Sequence, residues 1–149
     1  MNKKVKKKNP LKLKAYAVAL SLWGLSSVLA LYSSPVMAAE TASNTAQEQV
    51  AEALFNKGVD LVDSHHYEEA LATFNYLITR FGNSHDPKIQ ILVAQALFNK
   101  GTDLAELHRI GQARAEWEEL VYRFKDNPDV DIQKSVKDAR HNLLVTRNF

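Results

Sequence analysis

The sequence predicts an all-α fold made of a duplicated helix pair followed by one further helix. Three observations carry this. A 43-residue segment occurs twice in tandem, and fixed-period self-similarity of that length marks stacked supersecondary units. Within each copy, apolar residues recur at three-and-four spacing, the signature of a helix with one buried face, and no stretch alternates as a half-buried strand would. Clusters of glycine, asparagine and proline separate the periodic runs.

The chain opens with seven lysines and no acid among its first 14 residues, followed by an uncharged run from Ala15 to Tyr32 and then Ser33-Ser34-Pro35-Val36-Met37-Ala38-Ala39. Basic start, apolar middle and small-residue end is the order of a secretory signal peptide. Val36 and Ala38 stand where signal peptidase reads small residues, so residues 1–38 are expected to be removed in reaching the periplasm. An uncleaved inner-membrane anchor is the alternative: the run is slightly long for a signal core and slightly short of the ~20 residues a span needs, and Pro35 with the small residues after it favours cleavage. No cysteine follows the run, which excludes a lipoprotein. Residues 39–47 are small and polar and read as a flexible linker, leaving 48–149 as the folded domain.

Residues 50–92 laid over 93–135 give 19 identities in 43 pairs, and Ala53-Leu54-Phe55-Asn56-Lys57-Gly58 returns as Ala96-Leu97-Phe98-Asn99-Lys100-Gly101. In the first unit, Val50, Ala53, Leu54 and Leu61 predict a helix from about 44 to 64. A turn at His65-His66 leads to a second helix whose buried face carries Tyr67, Ala70, Leu71, Phe74, Leu77 and Ile78. Gly82-Asn83-Ser84-His85 ends it, and Asp86-Pro87 reads as an N-cap followed by proline in the first turn. The second unit repeats the plan with helices at about 87–107 and 110–124. Asn127-Pro128 opens a last helix, in which Ala139 and Asn142 fall in register with Ala53 and Asn56. Gly58 with Ala70, and Gly101 with Ala113, flank the two turns, as close helix pairing requires. In the third, partial copy Leu144 stands in place of the glycine, and no partner helix follows it. Tyr67, Phe74, Phe81, Trp117 and Phe124 are expected in the core.

These residues resemble the tetratricopeptide repeat. Ala51 to Gly58 is similar to that family's first helix, Leu61 occupies its next large apolar position, and Tyr67-Glu68-Glu69-Ala70 with Phe74 is similar to the start and aromatic anchor of its second. Leu97, Gly101, Leu104, Ala113 and Trp117 repeat the pattern, with Ile110 for the tyrosine. The period is 43 rather than 34; Lys57 and Lys100 replace a leucine, Leu77 and Leu120 a small residue, and His65 and His108 the turn glycine. The resemblance covers about residues 50–124, with 129–149 as a capping helix. It implies a short right-handed α-solenoid of antiparallel helix pairs that binds a protein or an extended peptide along its first helices. By register that face would present Glu52, Phe55, Asn56, Val59 and Asp63, then Gln95, Phe98, Asn99, Thr102 and Glu106, then Asp138, His141 and Val145. Asn56, Asn99 and Asn142 would form a ladder that either hydrogen-bonds a peptide backbone or ties the helices together. Phe55 and Phe98 would either anchor a ligand or pack inside. Self-association through the open ends of the array is the second expectation for partners.

Composition narrows the chemistry. Residues 39–149 carry 12 basic and 17 acidic groups, and without a basic stripe they lack the counterion-releasing surface that nucleic acid requires. The absence of cysteine removes disulfides, thiolate metal sites and cysteine nucleophiles together. No histidines pair at metal-ligand spacing on a helix face, and the acidic pairs Glu68-Glu69 and Glu118-Glu119 fall on polar faces. The sequence therefore predicts a protein without a cofactor or a catalytic site.

Overall fold

The computed structural model describes residues 35–147, and side chains from Glu40 onward. Five helices account for its regular structure, with no strand among the described residues: α1 Pro35–Asp63, α2 Tyr67–Phe81, α3 Pro87–Glu106, α4 Ile110–Phe124 and α5 Val130–Val145. The chain divides into two compact units, one up to Ala42 and one from Ser43; both repeats belong to the second. Most of the expected export segment lies outside the described residues, and no helix among the described residues is long and apolar enough to cross a membrane.

Residues 39–47, expected as a flexible linker, are helical and continue α1 without a break. Ala38, Ala39, Ala42 and Ala46 are strong helix formers, and no glycine or proline interrupts the stretch. Pro35 stands at the first helical residue, where its missing N–H costs no bond.

The two helix pairs turn in the same way. Helix α1 ends with His65 N–H donating to the Val62 carbonyl and His66 N–H to the Leu61 carbonyl, and α3 ends with His108 on Ala105 and Arg109 on Leu104. Both histidines sit in the left-handed region, with φ of 60° and 58°. This double bond satisfies the last helical carbonyls, and it needs a left-handed residue of the kind glycine usually supplies. The helix pairs then close on an aromatic ring. A Cβ on Gly58 would lie 2.4 Å from the Phe74 ring, and one on Gly101 would lie 2.4 Å from the Trp117 indole. The glycines thus make room for a ring of the second helix rather than for its backbone.

The links between units are also shared. Asp86 caps α3 by accepting from the Lys88 and Ile89 N–H groups, and Asp129, 43 residues later, caps α5 through Asp131 and Ile132. The last helix therefore starts two residues later than Asn127-Pro128 suggests. Gln90 donates to the Ser84 carbonyl at 3.2 Å, and its counterpart Gln133 donates to the Asn127 carbonyl at 2.7 Å.

One apolar core runs through the second unit. Helix α3 packs against α2, α4 and α5, and α4 against α5. Phe74, Leu77, Ile89, Val93, Leu97, Leu120, Ile132 and Val136 are fully buried, with Phe81, Trp117 and Phe124 beside them. Tyr67 departs from expectation: it is half-exposed at the first turn of α2, where its hydroxyl lies 3.1 Å from His65 Nδ1. A tyrosine at a helix start keeps its polar end wet while its ring covers apolar surface.

Candidate functional site

Helices α1, α3 and α5 are the corresponding helices of three successive repeats, and one recess joins them. It has a volume of about 310 Å³ and is lined by Phe55 from α1, by Gln95, Phe98 and Asn99 from α3, and by Asp131, Lys134, Ser135 and Asp138 from α5.

The aromatic walls are held from behind. Phe55 lies against Phe74 of α2, ring centroids 6.0 Å apart and planes tilted by 50°. The Phe98 carbonyl accepts from Trp117 Nε1 at 3.3 Å and from the Thr102 hydroxyl at 3.1 Å. The half-buried Phe55 ring therefore rests on the buried Phe74 ring that Gly58 admits, and the Phe98 main chain is tied to the Trp117 indole that Gly101 admits. Ring edges supply apolar contact, and the Asn99 and Gln95 amides can both donate and accept. Asp131 and Asp138 accept only, and Lys134 is a lone cation on that rim. Such a surface suits an apolar side chain flanked by backbone N–H groups or a basic residue. The Ser135 hydroxyl donates back to the Asp131 carbonyl of its own helix at 3.3 Å.

Of the residues singled out from the sequence, Phe55, Phe98 and Asn99 come together here with Gln95 and Asp138. Asn56 is exposed on α1 outside the recess lining, and Asn142 is half-buried near the end of α5 with its carbonyl accepting from Thr146. Val59 packs partly against the core. Thr102 bonds its own helix, and His141 is exposed. Asp131, Lys134 and Ser135 escaped the sequence reading because the repeat does not carry them: one repeat earlier stand Lys88, of opposite charge, and the apolar Ile91 and Leu92.

Two other features test the chemistry. A larger recess of about 500 Å³ lies at the link between units beside Phe81 and Phe124, where the Arg123 guanidinium donates to the Gly82 carbonyl. That bond ties the end of α4 to the end of α2 and is structural. Asp103 on α3 is 2% exposed, and its Oδ2 has no hydrogen-bond partner. Burial, with the nearby Glu106 carboxylate second, pushes its carboxyl up to about 7. No cluster of three or more metal-ligating side chains is present among the described residues.

No protein-family model matches the chain, and neither a curated protein nor a solved structure is detectably similar to it.

Proposed function

We propose that this protein is an exported, non-catalytic adaptor, a short right-handed tetratricopeptide-like solenoid that binds a protein or extended peptide in the cell envelope. The observation that carries the reading is the recess shared by three repeat-equivalent helices, where Phe55, Phe98 and Asn99 meet Asp131 and Asp138. A peptide laid across it would place an apolar side chain between the two phenylalanines. The Asn99 amide would bond its backbone, and the carboxylates would favour a basic neighbour. The aromatic anchors would dominate affinity, as buried rings do at other interfaces.

A photo-crosslinking amino acid at Asn99, in the full chain expressed in its own cell, is expected to capture a discrete partner. The pair Asn99→Ala/Asp138→Lys is expected to weaken capture at a neighbouring reporter position, Gln95, by about tenfold, in line with the loss of one good hydrogen bond and one charge contact. The same partner captured at full yield by that folded double variant would sink the groove reading. N-terminal sequencing of the periplasmic protein is expected to begin at Ala39; a chain beginning at Met1 in the membrane fraction would establish the anchor.

A further inference from the structure

The repeat register makes each unit a control for the others. On α3, Ile89, Val93, Ala96, Lys100 and Asp103 form one stripe at helical spacing. Ile89, Val93, Ala96 and Asp103 are at most 2% exposed, and Lys100 donates to Asn75 of α2 at 3.1 Å. Lys100 also pairs with Glu116 of α4 at 2.8 Å, so the stripe is closed from the preceding unit and from its own. On α5 the equivalent Ile132, Val136 and Ala139 are buried in the same way. On α1 the equivalent residues are Ala46, Val50, Ala53, Lys57 and Asp60, four of them identical to their α3 counterparts. All five are exposed, Val50 by 40%. The residues that are buried as a stripe in the second unit are thus present on the first, where they are exposed.

The opposite end of the array is open too. Leu144 stands at the glycine position of α5, 69% exposed, and Val145 is 56% exposed. Arg114, Arg140 and Arg147 surround Leu143 and Leu144 in a recess of about 420 Å³. The charge of the two ends is opposed. From Ser43 on, α1 carries Glu48, which pairs with Lys88 at 2.8 Å, and Glu52, Asp60 and Asp63 against Lys57 alone, whereas α5 and its flanks carry Lys134, Lys137, Arg140 and Arg147 against Asp129, Asp131 and Asp138.

We infer that a second copy of this chain docks head-to-tail, the α1 stripe centred on Val50 and Ala53 covering the Leu143–Leu144 recess of its neighbour. Asp60, at the end of the stripe, then meets the arginines, and Ala53 allows the helices to approach closely. Because the two patches differ, the contact is heterologous and extends to a ring or a filament. The patches are separate from the Phe55–Phe98 recess, so self-assembly and peptide capture fail independently.

The chain has no cysteine, which makes a crosslinking test direct. Full-length Val50→Cys and Leu144→Cys chains, differently tagged, are co-expressed and oxidised in the cell. The mixed pair is expected to crosslink, neither variant with itself, and a chain bearing both cysteines is expected to give a ladder of oligomers. Exposed Gly111→Cys, paired with Val50→Cys, reports random collision. Crosslinking of the mixed pair no greater than that control, or equally strong self-crosslinking of Val50→Cys, would overturn the proposal. Arg140→Glu/Arg147→Glu in the Leu144→Cys chain is expected to cut the mixed crosslink about fivefold through like-charge repulsion. Asp60→Arg in its partner is expected to restore much of it. Crosslinking indifferent to the charge reversal would likewise overturn the assignment.

Discussion

Asp60 and Asp103 occupy the same place one repeat apart, but the first carboxylate is exposed and the second is sealed. The difference comes from position in the array: α3 has a unit on either side of it and α1 begins the series. Burial with an unpartnered oxygen disfavours the charged form and raises the carboxyl of Asp103 from 3.8 to about 7, with Glu106 adding like-charge repulsion. The native state therefore keeps a proton that the unfolded chain releases near pH 4. Stability falls as pH rises from about 4 to about 7 and is level in this respect above that. Asp103→Asn removes the ionisation, so it is expected to leave thermal stability near pH 4 unchanged. At pH 8 it should raise stability by roughly 1–2 kcal/mol, the scale of one unsatisfied buried polar group. Melting temperatures of both proteins across pH 4 to 8 check this, and parallel profiles would contradict it. Nothing in the sequence distinguishes the two aspartates, because identical residues in register acquire different surroundings only when the units are stacked.

The turns between paired helices show a local rule broken twice in the same way. His65 and His108 hold left-handed conformations where glycine would carry no steric cost. A left-handed L-residue costs about 1–2 kcal/mol, partly offset because glycine gives the unfolded chain more freedom. His108→Gly is accordingly expected to stabilise by about 0.5–1 kcal/mol. His65→Gly should gain less, since it also loses the 3.1 Å contact with the Tyr67 hydroxyl. Chemical denaturation of the two variants compares them directly, and a loss of stability at His108 would reverse the argument. At this scale much was legible in advance: Asp86 as a cap, α4 from Ile110 to Phe124, and a glycine where each helix pair closes, although not that the glycine admits an aromatic ring. The misses have physical causes. Helix α1 runs back to Pro35 because alanine-rich sequence propagates a helix even when its polar composition suggests a linker. Asp129 caps α5 through the Asp131 and Ile132 N–H groups, while the Asn127 side chain accepts from the Asp129 N–H and so belongs to the turn before the helix. The candidate recess was half legible. The repeat supplied Phe55, Phe98 and Asn99, but Asp131, Lys134 and Ser135 belong to a last helix whose sequence departs from the repeat.

Across the whole molecule, the core is continuous but its support is uneven. Helix α3 touches α2, α4 and α5 and buries eight residues, whereas α5 packs on α3 and α4 and leaves its far face open. In arrays whose stability is a sum of unit and neighbour terms, a central helix couples every interface and a terminal helix couples one side only. Leu97 is 1% exposed at the centre of α3, and Leu97→Ala is expected to cost about 2–5 kcal/mol through lost burial and the cavity left behind. Because α3 joins both repeats, amide exchange should accelerate in α2, α4 and α5 together. Val136 is as deeply buried but belongs to the terminal helix. Val136→Ala removes fewer carbons from one interface, so exchange should accelerate mainly in α5, with α2 and the first half of α3 keeping their protection. Residue-resolved hydrogen exchange separates the two patterns. If Val136→Ala released α2 as fully as Leu97→Ala does, the repeats would form a single cooperative unit. If the release stays local, α5 is the end of the array that opens first, and covering its Leu144 face with a second copy would slow exchange there ahead of every other helix.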